Sequence, residues 1–466
     1  MATWPIDRMV FRASAAAIGL SLVTALVIAW KPALLIPALG IAFLLGIACL
    51  DPVVPLVAAM LLAPLDVNFL LGASGASTTN TNTVSILVFV LIVGATLRCV
   101  VLGQLRIRPM IMVCLVLGAA LFVITVSTIA VELRSGVTFA AQILTPVAAY
   151  LVARDAQFSV SKTRAIDLGK RAIVSAIVLA FVLTAIILVL GRTAESLSGE
   201  NVSRFTGSLG SGSFAFFLLP PLIVNMAALS VRSTRGRWLC LGILVVALVA
   251  TLTRSALLAA VVAAIYFSVL SGTQGRGLIV LLLCIAFGGI FVAVSPEALN
   301  RFRPSGAVSS NVVQGTLAGR EDLWEYVWRT DISPSPLVGS GLGATAPIFA
   351  QETSFRTGAG AVHNDYLDVW AQVGLLGLGG YAVFLLVVLF GSMKTAIQQR
   401  RDAVKGDEWL FVLRCAIPPL ILAFMIVSFF DNAAANFVHM GVPLFILAGF
   451  ARRPWASPVA GARTTA

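Results

Sequence analysis

Across 466 residues, 59% of side chains are hydrophobic and only 11% are charged, with a formal net charge of +12. A soluble globule carries charge on about a quarter of its residues, so a water-soluble fold is excluded and an all-α polytopic membrane protein is expected. The positive charge sits in short segments between apolar runs, which reads as a topology signal and requires no nucleic-acid partner.

Apolar runs near twenty residues suffice for an α-helix to cross about 30 Å of hydrocarbon. Such runs predict about fourteen transmembrane helices (twelve being the lower alternative), near 13–30, 33–50, 53–71, 84–102, 109–130, 136–153, 171–190, 213–231, 238–252, 256–271, 277–295, 364–392, 411–430 and 435–451. The first run follows Arg8 and Arg12, as a signal-peptide core would, but it is long and leads straight into further spans. It is therefore expected to be retained. The polar run at 74–83 reads as a flexible connector. The chain thus divides into N-terminal membrane helices (1–295), one large outer loop (296–363), C-terminal membrane helices (364–451) and a tail (452–466).

Lys and Arg near segment ends are held on the cytoplasmic side. Arg8 and Arg12, then Arg98, Arg106 and Arg108, the group from Arg154 to Arg171, then Arg232, Arg235 and Arg237, Arg276, the group from Lys394 to Arg414, and finally Arg452, Arg453 and Arg463 fall in alternate segments. These positions hold most of the 32 basic residues, so both termini are expected in the cytoplasm. The six cysteines (Cys49, Cys99, Cys114, Cys240, Cys284, Cys415) lie within or beside predicted spans without CxxC spacing. That pattern indicates neither a disulfide framework nor a metal site.

Two outer segments, about 192–212 and 296–363, are long enough to hold a site. In the second, Glu321 to Arg329 places Leu323, Trp324, Val327 and Trp328 on one helical face, predicting a short amphipathic helix at the interface or on the membrane domain. Four basic groups fall on the outer side: Arg204, Arg254, Arg320 and His363. Arg254 is pinned in the three-residue turn Thr253-Arg254-Ser255, where it either snorkels to the interface or pairs with an anion, and its planar fork suits phosphate oxygens. His363 sits just before a helix whose positive end favours a neutral ring able to accept a proton; the alternative is an interfacial histidine with a packing role. Asn364 and Asp365 are placed to cap or complement that helix end. Asp431 lies in the last outer turn and either orients His363 or Arg254 or is a polar turn residue. Glycines 374, 377, 379 and 380 read as a stripe for close helix contact. The GSGLG at 339–343 lacks a nucleotide-binding context and reads as a turn. His439 reads as a packed residue of the last span.

The tight-turn arginine, GREDLW (319–324) and HNDYLDVWAQVGLLGL (363–378) together resemble the O-antigen ligase and polymerase superfamily of bacterial envelope glycosyltransferases. The resemblance spans roughly 204–450, and it departs at Thr253-Arg254-Ser255, where the family often has Ser-Arg-Gly. It implies a metal-independent inverting glycosyltransferase of the inner membrane, without a cofactor, whose site faces the periplasm. The implied donor is a glycan on undecaprenyl diphosphate, and the acceptor is lipid A core for a ligase or a growing polysaccharide for a polymerase. On that resemblance Arg254 and Arg320 hold the diphosphate, Arg204 assists, and His363 is the base. A lipid-linked oligosaccharide transporter or flippase is the competing class, but such proteins carry ionisable groups near the midplane, and the predicted span interiors here are nearly free of them.

Overall fold

A computed structural model describes residues 50–65, 83–103, 133–189, 194–196, 203–205, 211–270, 320–345, 362–401, 408–431 and 437–453, with a few isolated positions between. Among the described residues the architecture is a helical bundle. Its helices are α1 (Val53–Leu62), α2 (Thr83–Val101), α3 (Leu133–Asp155), α4 (Lys162–Val189), α5 (Ser211–Val231), α6 (Arg235–Ala250), α7 (Arg254–Leu270), α8 (Arg320–Val327), α9 (Asp365–Arg401), α10 (Glu408–Phe430) and α11 (Val442–Arg452). Single π-helical turns follow α8 (Trp328–Ile332) and precede α11 (Phe437–Gly441). Helices cover the predicted spans wherever these are described; those near 13–30, 33–50, 109–130 and 277–295, the 74–83 connector and the end of the tail lie outside the described residues. Among the described residues, five helices are long and apolar enough to cross a membrane: Val84–Val101, Lys162–Val189, Gly212–Val231, Asp365–Gln398 and Glu408–Phe430.

One departure from the all-helical expectation is an antiparallel ribbon, β1 (Ala194–Ser196) with β2 (Ser203–Phe205), which pairs Glu195 with Arg204. Its strands are three residues each, too short to be a layer of their own.

α10 is the centre of the bundle, packing on α5, α7, α9 and α11. Helices approach closely where small residues face one another. α7 buries Ala256, Ala259, Ala260, Ala263 and Ala264, and α11 crosses α3 at Gly449, where an added Cβ would stand 2.5 Å from that of Ala153.

The predicted span 364–392 is two helices, because Gly374 breaks α9 with φ 69° and ψ −175°. At the break the peptide groups of 371, 372, 375 and 376 lose their helical partners, and the GSGLG turn with its preceding residues supplies new ones. Pro336 and Leu337 carbonyls accept from the Leu375 and Leu376 amides (2.9 and 3.3 Å), while the Ser340 and Gly341 amides donate to the Ala371 and Gln372 carbonyls (2.8 and 3.0 Å). Gly374 touches this loop so closely that a Cβ would meet the Leu337 carbonyl oxygen at 2.2 Å. The glycine stripe therefore does not serve as the helix contact expected: Gly374 packs against a loop, and Gly379 and Gly380 are exposed with open space about them.

Candidate active site

The turn between α6 and α7 reverses the chain within Thr251, Leu252 and Thr253. Thr251 Oγ1 donates to the Leu248 carbonyl (2.6 Å) and accepts from the Thr253 amide (3.4 Å), while Leu252 takes the left-handed conformation with φ 52°. A β-unbranched residue tolerates that conformation only at a cost of about 1 kcal/mol or more. The reversal makes Arg254 the first residue of α7, half-buried, and puts Ser255 Oγ 3.4 Å from Asp431 Oδ2, to which it donates.

Asp431 directly follows α10 and continues its hydrogen bonding by donating its amide to the Val427 carbonyl (2.7 Å). Its other carboxylate oxygen lies 3.2 Å from His363 Nδ1, with the two side chains 27% (His363) and 20% (Asp431) exposed. An ionised carboxylate only accepts hydrogen bonds. With Nδ1 donating to that carboxylate, the neutral form of the ring presents its lone pair at Nε2.

His363 is also in the left-handed region, with φ 53°. Flanking contacts hold it there. Asn364 Oδ1 accepts from the Tyr366 and Leu367 amides (3.0 and 3.1 Å), the geometry of a helix N-cap. On the other side Trp324 Nε1 donates to the Val362 carbonyl (2.9 Å). Asp365, expected to support the site, is buried at 3% exposure in the first turn of α9.

Arg320 opens α8 and donates from Nη1 to the Phe430 carbonyl, one residue before Asp431. This bond uses one of the five N–H donors of the guanidinium. α8 packs Leu323 and Val327, and the π-turn after it Ile332, against Val362 and Ala371. Trp328, where the π-turn begins, does not join that buried group and is 46% exposed. It meets Trp370 edge to face at 5.2 Å. Burial pushes the Asp331 carboxyl above its usual range, opposed by the Thr330 hydroxyl.

His363, Asp431 and Arg320 thus converge on the end of α10, with Arg254 beginning the neighbouring helix. The backbone of Arg204 lies in β2, which packs on α6; its side chain lies outside the described residues. Two groups of residues were not legible in the sequence. Ser255 looked like part of a generic turn. The other is a cluster that ties the 339–343 turn to α9, in which Asp368 Oδ1 accepts from Thr345 Oγ1 (3.0 Å) and Gln372 Nε2 (2.7 Å) while Gln372 Oε1 accepts from the Gly343 amide (2.7 Å). The available signal was the Gly339/Gly341/Gly343 alternation, all with positive φ.

Residues 239–382 match the O-antigen ligase family. The matched stretch holds Arg254, Arg320 and His363, so the resemblance to the O-antigen ligase and polymerase superfamily rests on the segments that build the site. Asp431 and Arg204 fall outside it. No curated protein matches the chain. Its apolar helices make the chain a multi-pass membrane protein, one whose matched stretch is similar to the O-antigen ligase family. Chemically, a neutral His363 offers an acceptor nitrogen with its opposite nitrogen held by a carboxylate, near the Arg320 guanidinium, whose planar fork suits phosphate oxygens. Among the described residues no group of three or more His, Cys, Asp or Glu side chains is arranged to hold a metal.

Proposed function

We propose that the protein is a metal-independent inverting glycosyltransferase that moves a glycan from undecaprenyl diphosphate to a sugar hydroxyl of lipid A core at the periplasmic face of the bacterial inner membrane. The observation that carries this reading is the His363–Asp431 pair beside Arg320. His363 Nε2 takes the proton of the acceptor hydroxyl as its oxygen attacks the anomeric carbon. The bond from that carbon to the diphosphate oxygen breaks on the opposite face, and the diphosphate leaves with the electron pair, inverting the centre. Asp431 holds the imidazole in the required tautomer and stabilises the imidazolium that forms. Arg254 and Arg320 neutralise the departing charge, with Arg204 assisting. Little else is demanded of the enzyme, because a diphosphate is already a good leaving group and the remaining task is to position two substrates.

The periplasmic placement draws on the opposite end of the bundle. Arg237, expected on the cytoplasmic side, pairs with Glu408 at the end of α10 opposite Asp431. Both termini would then be cytoplasmic. The other reading within this chemistry is a polymerase, in which the acceptor is a growing polysaccharide on the same lipid carrier.

The test is transfer by the purified protein in detergent, with an undecaprenyl-diphosphate glycan as donor and lipid A core as acceptor, with and without EDTA. Glycan on the core, unaffected by EDTA and lost in His363→Ala, is the expected result. Lengthening of the donor's own glycan selects the polymerase. Absence of both products, with lipid-linked glycan crossing liposomes, overturns the enzyme.

A further inference from the structure

The outer segment 296–363 is expected to lie outside the membrane, yet its residues 336–341 are bonded to the interior of a membrane helix. The second half of α9 fixes how deep that is. The first basic residue along it is Lys394, and at about 1.5 Å per residue Leu375 lies roughly 28 Å above it, close to the whole hydrocarbon thickness of about 30 Å. Between them Val383, Val387 and Phe390 are 59%, 53% and 61% exposed, the pattern of a lipid-facing stripe. Leu375 and Leu376 continue it at 47% and 59%, and beside them stand Leu337 at 60%, Val338 at 57% and Trp328 at 46%. These loop residues are held at that height by the hydrogen bonds from the Leu375 and Leu376 amides to the Pro336 and Leu337 carbonyls.

We propose that Leu337 and Val338 insert into the outer leaflet and seat the α8 segment on the bilayer, so that the 336–341 loop is a membrane anchor. Two independent features argue for acyl chains as the occupant. The apolar loop surface is continuous with the exposed stripe of a helix long enough to span. Moreover, each peptide group freed at Gly374 is matched by a loop peptide group, a pairing that matters most where water is absent. An interfacial tryptophan such as Trp328, at the edge of that patch, is a usual companion of such an anchor. The loop is covalently continuous with α8, so its depth fixes the height of Arg320 above the lipid.

The experiment places a nitroxide at 337 and 338 by cysteine substitution, with the six native cysteines replaced, in lipid nanodiscs. Collision rates with oxygen and with a water-soluble nickel chelate are compared with labels at Val383 (lipid reference) and Glu325 (water reference). Oxygen-dominated relaxation at 337 and 338, shallower than at 383, is expected. Nickel-dominated relaxation matching that at 325 overturns the anchor. Should the cysteine-free chain not fold, the same two substitutions in the native background are tested with maleimides. Protection from a charged reagent but not from an apolar one is expected, and equal reaction with both overturns the proposal. Neither readout depends on glycosyl transfer.

Discussion

The two ends of the bundle arrange their polar side chains differently. At the basic end, arginines are absorbed by the protein itself. Arg237 donates to the Ala228 and Arg232 carbonyls and pairs with Glu408. Arg452 reaches the Tyr150 hydroxyl and the Val387 carbonyl, and Arg453 lies 3.8 Å over the Phe158 ring. At the other end, His363 and Ser255 from distant segments meet on one carboxylate while Arg320 reaches the adjoining carbonyl at the end of α10. Arginine at a helix end is thus not in itself a sign of chemistry. What distinguishes a site is convergence of side chains from distant segments on a shared acceptor.

The sharpest way to break this comparison is to remove the base. His363→Ala should slow transfer by at least about a hundredfold, whereas Arg237→Ala at the opposite end should leave the rate within about twofold; matched steady-state kinetics on the two purified variants check both. Next in size is the orienting carboxylate. Asp431→Asn keeps the shape but no longer fixes the tautomer, and about a hundredfold loss in kcat with little change in donor KM is expected; a loss confined to KM would instead make Asp431 a substrate contact. Arg320→Lys keeps the charge and removes the planar fork. About a tenfold rise in donor KM should follow, measured by varying the lipid-linked substrate. A test of the scaffold beneath the site is Gly374→Ala, which forces a Cβ into the Leu337 carbonyl at a positive φ; a destabilisation of about 1–3 kcal/mol should appear as a lowered thermal midpoint in detergent. The smallest effect belongs to the basic end: Glu408→Gln, which breaks a partly exposed pair, should shift stability by no more than about 1 kcal/mol.

Hydropathy located the described helices because a lipid-exposed helix must be apolar over a fixed length, a constraint written residue by residue. It did not reveal the break in α9. Gly374 sits among Gly377, Gly379 and Gly380, and nothing local distinguishes the one with a loop docked against it from those facing open space. The site was partly legible for a related reason. His363 and Arg254 stood out because polar groups at span ends are few, and the motifs around them carried the superfamily resemblance. Pairing was the missing information. Whether Asp431 orients His363 or merely ends a helix depends on how α9 and α10 pack, and Ser255 acquires meaning only once Asp431 is beside it. The face expected to hold Leu323, Trp324, Val327 and Trp328 is split, with Leu323 and Val327 buried and Trp328 46% exposed, because packing against Val362 and Ala371 covers only part of it.

Asp431 follows His363 by 68 positions in the chain and Ser255 by 176. Synthesis proceeds from the N-terminus, and elements that contact distant partners complete late. The arginine turn and the histidine are therefore made and threaded into the membrane well before the carboxylate that links them. A ribosome-bound chain that ends before α10 has His363 and Ser255 but not their common partner, so their pairing forms only once α10 has inserted.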